Sequence, residues 1–145
     1  MANEVDIVTL LGYPPGEPDE ATVAAGTNIS KGTWLVWADA DTVVASSAIR
    51  QSPAGVASMD KDANDPSTKI SFYTNFVGDM VAVSTTDLPL VGYPVELSGA
   101  NLIRLPRVDQ NNLSGAEFIS GAAFFAGKAR ETASSAERIM VRVRL

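Results

Sequence analysis

Apolar and polar residues alternate along short stretches of this chain, and turn-forming clusters separate the stretches. The last is the clearest. Ile139, Val141, Val143 and Leu145 fall on one side of an extended chain, and Met140, Arg142 and Arg144 on the other. Residues 5–11 (VDIVTLL) predict a first strand with Val5 and Ile7 on one side and Asp6, Val8 and Leu10 on the other. Residues 12–20 (GYPPGEPDE) are too rich in Pro, Gly and acid for helix or central strand, so they predict an extended segment. Together, residues 1–20 read as an N-terminal arm or edge segment, and residues 21–145 as a single β domain.

Further strands are expected in residues 21–30, in 33–36 and 42–45 as a hairpin, and around Gly55. Others are expected in 70–76 and 79–84 with Gly78 between them, and in 91–97 and 101–105 as a second hairpin. Residues 116–125 read as a strand with a bulge, and residues 60–69 and 106–114 as polar loops. The total is about eight to ten short strands with closely spaced turn signals, and no amphipathic helix. That pattern predicts an all-β fold, a compact antiparallel β-sandwich or β-barrel with an extended N-terminal arm.

Two stretches share a layout. Gly32 opens a strand, a turn of small and acidic residues, and a second strand, and AGVA follows at residues 54–57. Gly92 opens a similar strand, turn and strand, and AGKA follows at residues 126–129. Internal duplication and convergent hairpin grammar both account for this.

Composition narrows the function more than the fold. The chain has 145 residues, a length suited to one domain with a substantial core. It contains no Cys and no His, which removes disulfides, thiolate nucleophiles, imidazole bases and most transition-metal sites. The net charge of −6 sits in residues 1–72, where 10 acidic residues face 4 basic ones; residues 73–145 carry seven of each. An acidic chain is repelled by phosphate backbones, so no nucleic-acid partner is expected. The sequence has no apolar run long enough for a membrane helix, and its opening residues have no secretory-signal character.

No catalytic constellation emerges. DKDAND at residues 60–65 begins like a calcium loop, but Asp65 replaces the glycine and Ser71 the closing glutamate. Asp79, Asp87, Glu96 and Glu117 have no spacing that separates them from surface acids. A serine triad cannot be completed without histidine. Neither an enzymatic activity nor a cofactor is therefore expected. Trp34 and Trp37 point opposite ways in a strand. Either both are buried in the monomer, or one is left for a neighbouring subunit or ligand. Arg142 and Arg144 share a strand face, either solvated or paired with acids of another subunit.

The segments AGTNISKGTWL (residues 25–35), PAGVA (53–57), GYPVEL (92–97) and AGKARETASS (126–135) with the terminal VRVRL resemble the capsid decoration, or cement, proteins of tailed viruses. The resemblance covers roughly residues 22–145. It implies a structural virion protein that binds the outer surface of an icosahedral capsid and clamps neighbouring capsomers. Its partners would be the major capsid protein and itself, as a homotrimer made in the host cytoplasm. Candidate capsid or subunit contacts are Val5, Ile7, Val8, Leu10, Trp34, Trp37, Arg142 and Arg144. Other readings are a head fibre base or tail-tube-like virion protein, and a β-sandwich carbohydrate-binding module with a tryptophan as its sugar platform.

Overall fold

The computed structural model describes residues 3–12, 16–106 and 124–145. Among these residues every regular element is a strand: β1 (Asp6–Leu10), β2 (Asp19–Thr22), β3 (Trp34–Asp39), β4 (Thr42–Ala45), β5 (Pro53–Ala57), β6 (Lys69–Tyr73), β7 (Asn75–Ala82), β8 (Pro94–Leu97), β9 (Leu102–Arg104), β10 (Phe125–Ala129) and β11 (Arg138–Arg144). The expected hairpins are β3–β4 and β8–β9, both antiparallel.

Strands β2 to β6 close into a barrel in the order β2-β4-β3-β5-β6. The remaining strands form a sheet in the order β1-β7-β11-β10-β8-β9, and a further pairing of β9 with β7 closes that sheet on itself. The two closed units have the same topology. β3 lies between β4 and β5, as β8 lies between β9 and β10. β6 pairs with β5, as β11 pairs with β10. β2 runs parallel to β4 and antiparallel to β6, as β7 runs parallel to β9 and antiparallel to β11.

The registers correspond as well. Ala21 faces Ile70 in the first barrel, and Met80 faces Ile139 in the second. Ala57 faces Phe72, and Ala129 faces Val141. Backbone geometry repeats too: Gly32 and Gly92 have φ of 87° and 82°, and Asp41 and Asn101 have φ of 64° and 59°. The single body expected over residues 21–145 is thus built as two barrels in tandem, and the repeat visible in the hairpins extends to all five strands of each.

Alternation along each strand fills the barrel interiors. Leu35, Val43, Ala54, Ala57, Ile70 and Phe72 form the first core. Met80, Leu97, Ile103, Ile139, Val141 and Val143 belong to the second. The second cluster also takes in Trp34, Val36 and Val56, which project outward from the first barrel. The two barrels therefore share an apolar interface and not merely a linker.

Three expectations change. Gly78 does not separate two strands; it lies inside β7, and the break falls at Thr74, between β6 of one barrel and β7 of the other. Space explains this, since a Cβ on Gly78 would sit 2.8 Å from Val5 Cγ1. The sheets are not wholly antiparallel, because β2–β4 and β7–β9 are parallel. Such pairings join strands that are not neighbours in sequence, and alternation alone cannot reveal them. The boundary drawn at residue 20 falls within β2, while the strand expected in residues 5–11 forms as β1, an edge antiparallel to β7. The strand expected at residues 116–125 lies outside the described residues except at Phe124 and Phe125.

Candidate interaction surface

β3 decides the fate of both tryptophans. Its outward residue Trp34 is fully buried beneath the second barrel, with its ring 6.3 Å from that of Phe76. The Trp34 backbone N–H donates to Asn101 Oδ1 at 2.9 Å, and the Asn101 N–H donates to Ser46 Oγ at 3.2 Å. Trp37 lies near the barrel mouth, edge-on to Phe72 at 6.1 Å, and keeps 41% of its surface exposed. One tryptophan is therefore interface core and the other is partly exposed, so the two are not both buried in the monomer.

The four candidates in β1 and just before it are brought together but divided by burial. Val5 is buried, and its N–H donates to the Gly32 carbonyl at 2.8 Å. Ile7 and Leu10 pack partly against the shared core. Val8 sits at a bulge between Ile7 and Thr9 and is exposed. These residues line one side of a groove completed by Lys31, Gly32 and Tyr73. Arg138 ties β1 down: its guanidinium reaches Asp6 at 3.0 Å and Asp79 at 3.2 Å, and donates to the Glu4 carbonyl.

Arg142 and Arg144 are exposed on the outer face of β11. With Lys128 from β10 they flank a shallow groove floored by Gly127 and edged by Pro94 and Phe125. Arg144 also borders a depression containing Trp37, Pro53 and Leu145, so two separate sequence candidates meet there. Lys128 stands directly opposite Arg142 across the β10–β11 pair, and Arg130 follows one strand turn later. Among the described residues none of these four cations forms an ion pair. Neither Lys128 nor Arg130 stands out from strand alternation alone. Aligning the two hairpin repeats would have singled them out, because their counterparts Val56 and Ser58 are apolar or neutral.

Several of the carboxylates weighed for chemistry have structural partners. Glu96 is buried at 1% exposure, where Arg104 Nε donates to it at 2.8 Å and Arg50 approaches within 3.7 Å. Asp60 accepts from the Lys31 N–H, Asp62 from Asn64 and Asp65 from Ser67. In the would-be calcium loop Asp62 and Asp65 thus cap local turns, and Asp60 ties the loop to Lys31. Among the described residues no three acidic side chains converge as a metal site. Glu117 lies outside the described residues.

The fold defines a class: a tandem pair of five-stranded β-barrels with an added edge strand, whose distinguishing features are exposed faces. In solved structures a likeness spans almost the whole chain. The head fibre gp8.5 N base of bacteriophage phi29 matches with a TM-score of 0.51 and 17% sequence identity, covering 88% of this chain and 92% of that one. At that identity the likeness establishes the all-β fold. No protein-family description and no curated protein matches the chain by sequence.

Proposed function

We propose that the protein is a structural component of a tailed-virus particle, seated on the outer surface of the head. The observation that carries this reading is the fold likeness to a phage head fibre base over most of both chains. The sequence resemblance to capsid decoration proteins points the same way. The attachment partner is the major capsid protein, and the working form is a homotrimer. Many copies bound to one shell hold strongly even when each contact is modest, because the sites are linked. A rigid β body of this kind suits both a capsomer clamp and a fibre base, and the likeness to a phage head fibre base supports the base-like seat.

Co-sedimentation with undecorated, expanded capsids tests the proposal. Saturable binding at a fixed ratio of protein to capsid protein supports it. A protein that stays in the supernatant at every ratio refutes it. The exposed Trp37 in a shallow depression favours one second reading, a carbohydrate-binding β module. A glycan-dependent change in Trp37 fluorescence, without capsid binding, would favour that reading.

A further inference from the structure

The tandem repeat makes the contact between the barrels a template. The first barrel offers Trp34, Val56 and Tyr73 as its outward face, and the second barrel covers it. From the second barrel the Phe76 ring packs near the Trp34 ring, and the Asn101 side chain accepts from the Trp34 backbone N–H. One face of each barrel is used in this contact, and the faces are different. Each barrel therefore keeps the counterpart of the face its neighbour has used, and among the described residues no barrel packs on either counterpart.

Register identifies these free faces residue by residue. In the second barrel the counterparts of Trp34, Val56 and Tyr73 are Pro94, Lys128 and Arg142. Lys128 and Arg142 are exposed, and Arg130 and Arg144 flank them. Val91 and Tyr93, on the strand-entry loop of the same barrel, are each 57% exposed. Among the described residues nearby, Glu131 accepts from the Met140 N–H and Asp79 is held by Arg138, while Asp19 borders the depression beside Arg144 without an ion pair. In the first barrel the counterpart of Asn101 is Asp41, and that of Phe76, two residues before the strand register begins, is Glu17. Both are exposed carboxylates, and the exposed Glu20 and Asp39 adjoin them. Lys69 approaches Asp41 only at 4.0 Å. One free face is thus basic and the other acidic, where the occupied pair is apolar.

We infer that copies of this chain associate head to tail, the basic face of one second barrel docking on the acidic face of the next copy's first barrel. The contact repeats the geometry already used inside each chain, with ion pairs in place of the tryptophan anchor. Such heterologous contacts generate a closed ring when the rotation closes and a filament when it does not. Opposite charges on the two faces also prevent like faces from pairing, which fixes the direction of assembly. The inference does not depend on the virion reading, because it concerns only this chain and its copies.

Sedimentation velocity of the full chain at low and high salt tests it. The wild type is expected to self-associate at low salt and to dissociate as salt screens the faces. The pairs K128E/R142E and E17K/D41K are each expected to weaken association about tenfold or more, a loss of about 1.4 kcal/mol or more. Mixed in equal amounts, the two variants are expected to associate again, since each then offers the other a complementary face. All four residues are exposed, and near-ultraviolet circular dichroism of the buried Trp34 checks that both variants fold. A wild type that stays monomeric at low salt, or assemblies indifferent to both charge reversals, would overturn the inference. So would reversals that abolish capsid binding and leave self-association untouched, because the basic face would then belong to another partner.

Discussion

Gly55 and Gly127 stand at the same point of successive barrels, and each admits the backbone of the neighbouring strand. A Cβ on Gly55 would lie 2.5 Å from the Tyr73 carbonyl oxygen, and one on Gly127 would lie 2.7 Å from the Arg142 carbonyl oxygen. Neither obstacle is the far end of a flexible side chain, so the backbone itself must move to accept a methyl group. Gly55→Ala and Gly127→Ala should each destabilise the protein by about 1–3 kcal/mol. Urea unfolding measures this. A midpoint within error of wild type would mean that the strands are more loosely paired than these distances indicate.

The tryptophans should separate in both stability and spectroscopy. Trp34 is fully buried between the barrels, so Trp34→Ala should cost about 3–5 kcal/mol. Trp37→Ala should cost much less, because its ring is partly in solvent. Iodide should quench the emission of the Trp34→Phe variant, which retains Trp37, and leave that of Trp37→Phe nearly unchanged. Equal quenching of the two would contradict the placement of these rings.

Arg138 binds β1 to the body through Asp6, Asp79 and two carbonyl oxygens. These contacts are partly exposed, so Arg138→Ala should lower global stability by only about 1 kcal/mol or less. Its local effect should be larger. Hydrogen exchange is expected to show faster exchange of the β1 amides while β11 and the barrel cores keep their protection. Unchanged protection in β1 would show that its ladder with β7 suffices without the arginine.

Glu96 is held in a buried site by Arg104, with Arg50 at its edge. Arg104→Met should cost about 3 kcal/mol, because it removes the main partner of a buried carboxylate. Replacing Glu96 by Leu in the same background should recover part of that loss, since the uncompensated charge is gone. Thermal melts of the two variants compare them directly. Failure of the second substitution to recover stability would assign the loss to packing of the arginine stem.

Much of this architecture is legible in the sequence, at the level of strands and hairpins. The alternation in residues 138–145 shows which side of β11 faces the core, and the burial of Ile139, Val141 and Val143 against the exposure of Arg142 and Arg144 follows it. Turn chemistry around residues 38–41 and 98–100 marks both hairpins. Local periodicity and turn preference depend only on neighbouring residues, which is why they can be read from one chain. The resemblance between the two hairpin units is also visible there, as is the concentration of negative charge in residues 1–72.

Only tertiary structure decides how those pieces are joined. The parallel pairings β2–β4 and β7–β9, which close the barrels, link strands separated by intervening chain and leave no periodic trace. Gly78 looks like a turn residue in sequence, yet it serves to admit Val5, which lies just before β1 and many residues away. Trp34 and Trp37 are chemically identical and three residues apart. One is buried because Phe76 and Asn101 of the other barrel cover it; the other remains exposed at the barrel mouth. The sequence by itself determined the strands, their faces and the charge that each half carries. The packing of one barrel on the other determined which apolar face is buried and which charged faces are left free, because burial depends on contacts between residues that the chain brings together only on folding.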